Sequence, residues 1–281
     1  MSPTGAAIVA GVAGAPVTHS LSPLIHNAWI TAAKLDAAYV PFPVPPGRFE
    51  TFAQAMRGGA IRGLNVTVPF KEAALAIATS ASDRARRAGA ANLLLFGPGD
   101  AILADNTDGV GLLAALAEQA PGFEARSGPV LLLGAGGAAH GAAAALAEAG
   151  APDIRIFNRT TARARALVAA LGGPCRAVDD AVAAADGAAL VVNATTLGLG
   201  GGPGPGVAFE RTAPGAVALD MVYRPLRTDF LARAGAAGLA PVDGLAMLIG
   251  QAAPSFEAFF GQAPPAIDVR GPCLAALGET P

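Results

Sequence analysis

Lysine is rare in this chain: of 19 Lys and Arg residues, only Lys34 and Lys71 are Lys. Lys71 closes the segment Asn65-Val66-Thr67-Val68-Pro69-Phe70-Lys71, in which a strand-like run meets a proline and passes into a helix. Side chains at such a point project from a sheet edge toward a ligand. An Arg cannot release its proton near neutral pH, whereas a Lys can when desolvated or set beside other cations, so an amine here points to proton transfer. The plainer alternative is a solvated cation at a helix start. A second run, Asp105-Asn106-Thr107-Asp108-Gly109, precedes a helical stretch. Thr107 or Asp108 suits its N-cap, and a carboxylate there, paired with an amine, makes a workable proton-transfer unit for alcohol oxidation. Spacing alone does not bring Lys71 and Asp108 together.

Near the start, Val17-Thr18-His19-Ser20-Leu21-Ser22-Pro23 sets two hydroxyls two residues apart, before a helix opened by proline. In extended backbone Ser20 and Ser22 share a face. Hydroxyls and free helix N–H groups suit a carboxylate, although helix capping accounts for one serine equally well. His19 and His26 have neither HxxxH spacing nor a Cys partner, so no metal site is expected.

Gly134-Ala135-Gly136-Gly137-Ala138-Ala139 follows the apolar run Val130 to Leu133 and opens a helix. In that context Gly134 permits a tight turn, Gly136 lets backbone approach a pyrophosphate, and Ala139 allows close helix-to-strand packing. At the end of the next strand an NAD site places an acidic residue for the ribose 2′-hydroxyl. This chain has Asn158-Arg159-Thr160 there, with Arg163 one turn on. Two guanidiniums beside a hydroxyl suit a 2′-phosphate, which favours NADP. The alternative is a pair of solvated cations with Thr160 as N-cap.

The elements that must carry these groups follow from the apolar pattern. Short Val/Ile/Leu runs alternate with Ala-rich stretches of helical length, the mark of an α/β chain with mainly parallel sheets. Strands are expected at Ala6 to Val12, Ala38 to Val44, Ile61 to Val68, Asp153 to Phe157, Leu190 to Asn193 and Val217 to Asp220. Ala91 to Phe96 and Ala101 to Ala104 read as a hairpin. Helices are expected at Pro23 to Lys34, Arg48 to Arg57, Val110 to Gln119, Gly137 to Ala149, Thr161 to Leu171 and Gly244 to Phe260. A first domain is placed at residues 1–108 and a second at 109–243, with helices in 244–281 folding back onto the first. A small ligand is expected in a cleft between domains.

At 281 residues with 53 % hydrophobic and 14 % charged content, the chain is no disordered segment. A net charge of −2 gives no field for a nucleic-acid backbone. Ser127 to Ala147 and Gly187 to Phe209 carry no formal charge and are long enough to span a bilayer, but Gly and Pro interrupt both, so no membrane span is expected. No Lys or Arg precedes Lys34, and Cys175 and Cys273 form no CxxC pair. A soluble protein of a reducing cytoplasm is expected. Monomer and homodimer both remain open.

Taken together and in order, the segments from Ser20 to Gln251 resemble the shikimate dehydrogenase family. Its Ser-x-Ser motif is similar to Ser20-Leu21-Ser22, its Asn-Val-Thr-(Ile/Val)-Pro-(Phe/Tyr)-Lys motif to Asn65–Lys71, and its Asp-Asn-Thr-Asp-Gly motif to Asp105–Gly109. The resemblance implies Lys71 and Asp108 as the catalytic pair. It implies Ser20, Ser22 and Tyr223 for a substrate carboxylate, Thr67, Asn92 and Asp108 for ring hydroxyls, and Gln251 as a further substrate contact. Gly134, Ala135, Gly136, Gly137 and Ala138 would form the pyrophosphate turn, and Asn158, Arg159, Thr160 and Arg163 the NADP-selecting loop. Asp220-Met221-Val222-Tyr223-Arg224-Pro225 resembles the family's Asp-x-x-Tyr-x-Pro motif, with Met221 near the nicotinamide. Gly244–Gln251 resembles its closing helix, in which Gly244 meets the cofactor. Asp83 stands where some members carry an acidic residue near the cofactor. Leu93 departs from the Thr usual after the asparagine, which bears on hydroxyl recognition.

The implied fold is two α/β domains, a mainly parallel-sheet substrate domain followed by a Rossmann-like NADP domain, with a C-terminal helix returning to the first. The implied reaction is reversible, NADP-dependent reduction of 3-dehydroshikimate to shikimate. The alternatives are the same chemistry on quinate or an aminoshikimate, a non-catalytic NADP sensor, and a structural scaffold.

Overall fold

The computed structural model describes residues 2–59 and 61–279. In chain order it begins with β1 (Ile8–Gly14), α1 (Ser22–Ala32), β2 (Ala37–Pro43), α2 (Phe49–Ala55), β3 (Gly63–Val66), α3 (Lys71–Ala76), β4 (Ser80–Ala81), α4 (Asp83–Ala88), β5 (Leu93–Phe96) and β6 (Ile102–Asp105). There follow α5 (Asp108–Gln119), β7 (Val130–Leu133), α6 (Gly137–Glu148), β8 (Ile154–Phe157), α7 (Thr161–Leu171), β9 (Cys175–Val178), α8 (Ala181–Ala184), β10 (Leu190–Asn193), β11 (Val217–Asp220), α9 (Asp229–Ala236) and β12 (Ala240–Val242). The chain closes with α10 (Gly244–Phe260) and α11 (Arg270–Leu277).

It divides into two compact units, 1–107 with 251–281, and 108–250. The expected edge at 243/244 and this division differ by the start of α10. Gly244 packs onto the second unit, since a Cβ there would lie 2.7 Å from the carbonyl oxygens of both Met221 and Val222. The division falls four residues before Pro254, which has no N–H to offer the Gly250 carbonyl.

The first unit holds a six-stranded sheet in the order β2-β1-β3-β5-β6-β4. β1 runs parallel to β2 and β3, and the expected hairpin β5/β6 is antiparallel, from Leu93 opposite Asp105 to Phe96 opposite Ile102. Phe49, Leu64, Val66, Phe70, Leu94, Phe96 and Ile102 form one buried cluster on this sheet. The later half of α10 lies close to β3: a Cβ on Gly63 would fall 2.7 Å from the Phe259 ring and would also clash with the Leu94 carbonyl oxygen. That approach requires a glycine.

The second unit is an all-parallel sheet in the order β12-β11-β10-β7-β8-β9. Counted within the unit this is the doubly wound 3-2-1-4-5-6 arrangement, whose order reverses between β7 and β10. Every residue of β7, β10 and β11 is buried, as helices on both faces of a parallel sheet demand. The small residues of α6 explain the Ala/Gly bias locally. Ala139, Ala142 and Ala143 are fully buried, and a Cβ on Gly109 of α5 would sit 2.8 Å from the Gly141 carbonyl oxygen.

The charge-free stretches that resemble spans in composition are broken here, the first into β7, a turn and α6, the second into β10 and irregular backbone. Among the described residues no helix is long and apolar enough to cross a membrane. The short elements β4, α4, β9, α8, α9 and β12 escape the apolar pattern. Most are brief or lie at sheet edges, where half their side chains face water and the periodicity fades.

Candidate active site

The glycine turn sits at the switch point of the second unit. Gly134 adopts φ +116°, and a Cβ there would meet the Ala194 carbonyl oxygen at 2.9 Å, so the residue is fixed by both conformation and space. Gly136 differs. It is the N-cap residue of α6 with φ −94° and no side-chain cap, and nothing lies within 4 Å of its would-be Cβ. The fold's own packing does not need a glycine at 136. That open position is at the N-terminus of α6, which no side chain caps, where a pyrophosphate would be received. Ala139, fully buried, supplies the tight contact to the sheet.

At the end of β8, Asn158 Nδ2 donates to the Thr160 carbonyl at 2.9 Å and shapes the turn into α7. Thr160 occupies the N-cap position, yet its side chain makes no capping bond. Arg159 and Arg163 are exposed, and neither forms an ion pair with a described residue, unlike Arg155 and Arg176, which both engage Asp153. Two uncommitted guanidiniums and an unused hydroxyl beside an open helix terminus fit a dinucleotide that carries a 2′-phosphate.

The loop after β11 is held from below. Asp220 is fully buried; its carboxylate accepts from Asn193 Nδ2 at 2.9 Å, from the Val222 N–H at 3.0 Å and from the Thr228 hydroxyl at 2.6 Å. Burial pushes its pKa up to about 6, against the pull of those donors from Thr228, Val222 and Asn193. Met221 and Tyr223 flank this anchor, and the Met221 N–H donates to the Asn193 carbonyl at 3.0 Å.

The first unit gathers a polar cluster under the sheet edge. Asn92 is buried and donates through Nδ2 to the Thr107 hydroxyl at 3.0 Å and to Gln251 Oε1 at 3.3 Å, while the Thr107 N–H donates to Asn92 Oδ1 at 2.8 Å. Lys71 begins α3, and its carbonyl accepts from the Ala91 N–H at 2.8 Å, which places the lysine backbone beside Asn92. The Thr67 N–H donates to the Ala13 carbonyl at 2.9 Å, and its methyl fills the space a Cβ on Gly14 would take. Asp108, buried, opens α5 directly after Thr107. Thr107 is itself turned into the Asn92 and Gln251 cluster. Asp105 ends β6; against its burial, hydrogen bonds from Arg84 and Ser82 hold its carboxyl below the ordinary range.

Several alternatives are settled by these contacts. The N-cap of α1 is Leu21, so neither serine caps the helix by position, and Ser20 Oγ instead accepts from the Ser22 N–H at 3.3 Å. Asp83 lies in the first turn of α4 in an exposed ion pair with Arg86 at 2.5 Å. Leu93 is buried and lines an apolar groove with Leu95 and Leu103, whereas Asn92 bonds Thr107 and Gln251. The departure at 93 therefore falls outside the polar cluster. Among the described residues no three His, Cys, Asp or Glu side chains group as metal ligands.

Spacing gave no role to Tyr39, His26, Asn193 or Ser255. A signal existed for the last, since Ser255 follows Gln251 by four on one helix face.

A doubly wound sheet with a glycine turn at its switch point, and a separate unit that gathers amides and hydroxyls around a lysine-bearing edge, define a dinucleotide-binding α/β protein of two units. Comparison with known sequences narrows the class. The profile "Shikimate dehydrogenase substrate binding domain" matches residues 12–94, and "Shikimate / quinate 5-dehydrogenase" matches residues 115–197. A shikimate dehydrogenase (NADP(+)) of Caulobacter vibrioides is 60 % identical over 279 residues, covering 98 % of each chain. One from Maricaulis maris is 48 % identical over 284 residues, covering 99 % of each. The crystal structure of shikimate 5-dehydrogenase from Thermus thermophilus, in complex with NADP(H) and shikimate, aligns with a TM-score of 0.84 at 40 % identity, over 96 % of this chain and 98 % of that one. The chain belongs to the shikimate dehydrogenase family.

Proposed function

We propose that this chain is an NADP-dependent dehydrogenase that interconverts 3-dehydroshikimate and shikimate. The observation that carries this is the 60 % identity, over 98 % of both chains, to an NADP(+) shikimate dehydrogenase. The open Gly136 and the unpaired Arg159 and Arg163 support the cofactor choice.

When bound, the nicotinamide exchanges a hydride with the ring carbon that carries the ketone or hydroxyl. The chain's own residues do the rest. Lys71 and Asp108 form the proton-transfer pair: in oxidation they take the proton from the reacting hydroxyl, and in reduction they return it to the nascent alkoxide. Ser20, Ser22 and Tyr223 take the substrate carboxylate, far from the reacting carbon, and so fix the ring in register. Thr67, Asn92 and Asp108 hold the ring hydroxyls, and Gln251 contacts the substrate beside them. Gly134 to Ala138 receive the pyrophosphate, Asn158, Arg159, Thr160 and Arg163 the 2′-phosphate end, and Met221 the nicotinamide end, while Gly244 contacts the cofactor. Asp83 is assigned to the cofactor side only by the family pattern. In this scheme residues 1–108 carry the substrate, 109–243 the NADP, and 244–281 return to the substrate domain. The two buried free cysteines, Cys175 and Cys273, suit a reducing cytoplasm. Action as a monomer or homodimer is compatible with the scheme.

Quinate is the competing substrate, since the second profile's description covers both. The test is the absorbance of reduced nicotinamide with shikimate or quinate and with NADP or NAD. A rise with shikimate and NADP, weak with NAD, is expected. A rise with quinate alone replaces the substrate, and silence from every pair in a protein that binds NADP refutes the enzyme reading.

A further inference from the structure

Tyr39 lies on β2, has no part in the scheme above, and is 1 % exposed. Its hydroxyl donates to Asn65 Oδ1 at 2.7 Å. The direction of that bond is fixed by the other end of the amide. Asn65 Nδ2 faces the Asn92 carbonyl at 3.2 Å, which can only accept, and Ser255 Oγ at 2.9 Å. With both amide hydrogens so committed, Oδ1 must be the atom turned to Tyr39, and the phenol spends its single proton there. Ser255 in turn donates to the Gln251 carbonyl at 3.2 Å. A continuous buried chain thus runs from Tyr39 through Asn65 to Asn92 on one branch, and through Ser255 to Gln251 on the other.

The ring that starts this chain is held flat. His26 stacks on it with centroids 4.1 Å apart and planes 3° apart, and Phe259 closes from a second side at 6.1 Å. The Ser22 side chain lies near the phenol as well. Tyr39 therefore sits where the serine end and the Asn92/Gln251 end of the substrate site can be set against one another.

We infer that Tyr39 is a positioning residue for the substrate, acting through Asn65 and Ser255 to fix Asn92 and Gln251. This rests on the substrate roles proposed above. Tyr39→Phe deletes one oxygen and keeps the ring stack, leaving Asn65 Oδ1 without its donor and the amide held from its Nδ2 side alone. Because Ser255 supports the same amide, Ser255→Ala acts on the same chain.

Steady-state kinetics of the full-length protein, with shikimate and NADP varied separately, provide the test. For Tyr39→Phe, KM for shikimate is expected to rise about tenfold, with kcat within about threefold and KM for NADP unchanged. Ser255→Ala should move the same constant, and the double variant should lose less than the product of the two single effects. Unchanged KM for shikimate in both variants overturns the assignment. So does a matching rise in KM for NADP, which a general loosening of the protein would produce, or strictly multiplicative effects. If Tyr39→Phe fails to fold, Ser255→Ala alone decides by the same criteria. Absence of turnover in the parent protein overturns the functional reading itself, whereas normal parent turnover with unaffected variants overturns only the role of Tyr39.

Discussion

His26 makes the first unit acid-labile by an amount that follows from its burial. The imidazole is fully buried and neither ring nitrogen has a hydrogen-bond partner; it is stacked on Tyr39 at 4.1 Å, with Trp29 at 5.7 Å and Phe256 at 6.0 Å. Burial alone drives its pKa from 6.5 to about 3. The folded state thus resists a proton that the unfolded chain accepts readily. Stability is fully present above pH 6.5 and falls as pH drops toward 3, because the unfolded state binds more protons throughout that window. The slope approaches about 1.4 kcal/mol per pH unit, so the loss between pH 7 and pH 5 is about 2 kcal/mol. Asp220 pulls the other way, since a folded pKa raised to about 6 stabilises the protein as pH falls. The perturbation must cancel that, and His26→Phe does so: it keeps an aromatic plate on Tyr39, removes the titration, and leaves Asp220 alone. Any packing offset is common to both pH values. The assay is urea unfolding at pH 7 and pH 5, followed by the fluorescence of Trp29, the single tryptophan, which sits beside His26. Relative to the parent, the variant should gain about 2 kcal/mol at pH 5, or roughly 1 M in urea midpoint. A parent-to-variant difference that is the same at both pH values would refute the reasoning.

Four further variants separate the roles. Lys71→Ala should lower kcat by about a hundredfold or more with a smaller effect on shikimate binding, read by turnover and by equilibrium titration; an unchanged rate ends its role in proton transfer. Replacing both Arg159 and Arg163 by Ala should raise KM for NADP roughly tenfold to a hundredfold and leave KM for NAD nearly unchanged, and equal losses on both cofactors would contradict the 2′-phosphate assignment. Gly136→Val should unfold within about 0.5 kcal/mol of the parent, because its Cβ meets nothing within 4 Å, yet lose NADP affinity. Gly134→Ala, at φ +116° and 2.9 Å from a carbonyl oxygen, should cost roughly 1–3 kcal/mol of stability. The pair of thermal unfolding curves tests whether the two glycines serve ligand and fold respectively.

Much of the architecture was visible in residue order because long buried elements carry strong periodic signals. The runs at β7, β10 and β11 are apolar at nearly every position and were read to the residue, as were α7 and α10. By contrast β4 has two residues and β12 three, too few for any period to register, and β12 carries a proline that only an edge position tolerates. Lys71, Asp108, the glycine turn and the Arg159/Arg163 pair stood out as candidates because each is a departure from local composition. Asn65 stood within a recognised segment yet received no role, since nothing in its neighbours in sequence reveals Ser255, which lies 190 residues away.

The order of residues determined that this is a two-part α/β chain with a glycine turn after its first buried parallel strand, an Asn-Arg-Thr run in place of an acidic residue at the end of the next strand, and a scarce lysine at a strand-to-helix junction. Those features are local, written in spacing, φ requirements and side-chain chemistry within a few residues. Tertiary structure alone decided that Gly136 is open while Gly134 is crowded, and that Leu93 lies outside the polar cluster. It also decided that His26 is a neutral buried plate, and that Tyr39, Asn65 and Ser255 tie Asn92 to Gln251. Each of these depends on which distant segments the sheet order and the return of the last helices bring within hydrogen-bond or van der Waals distance, and such contacts leave no periodic trace along the chain.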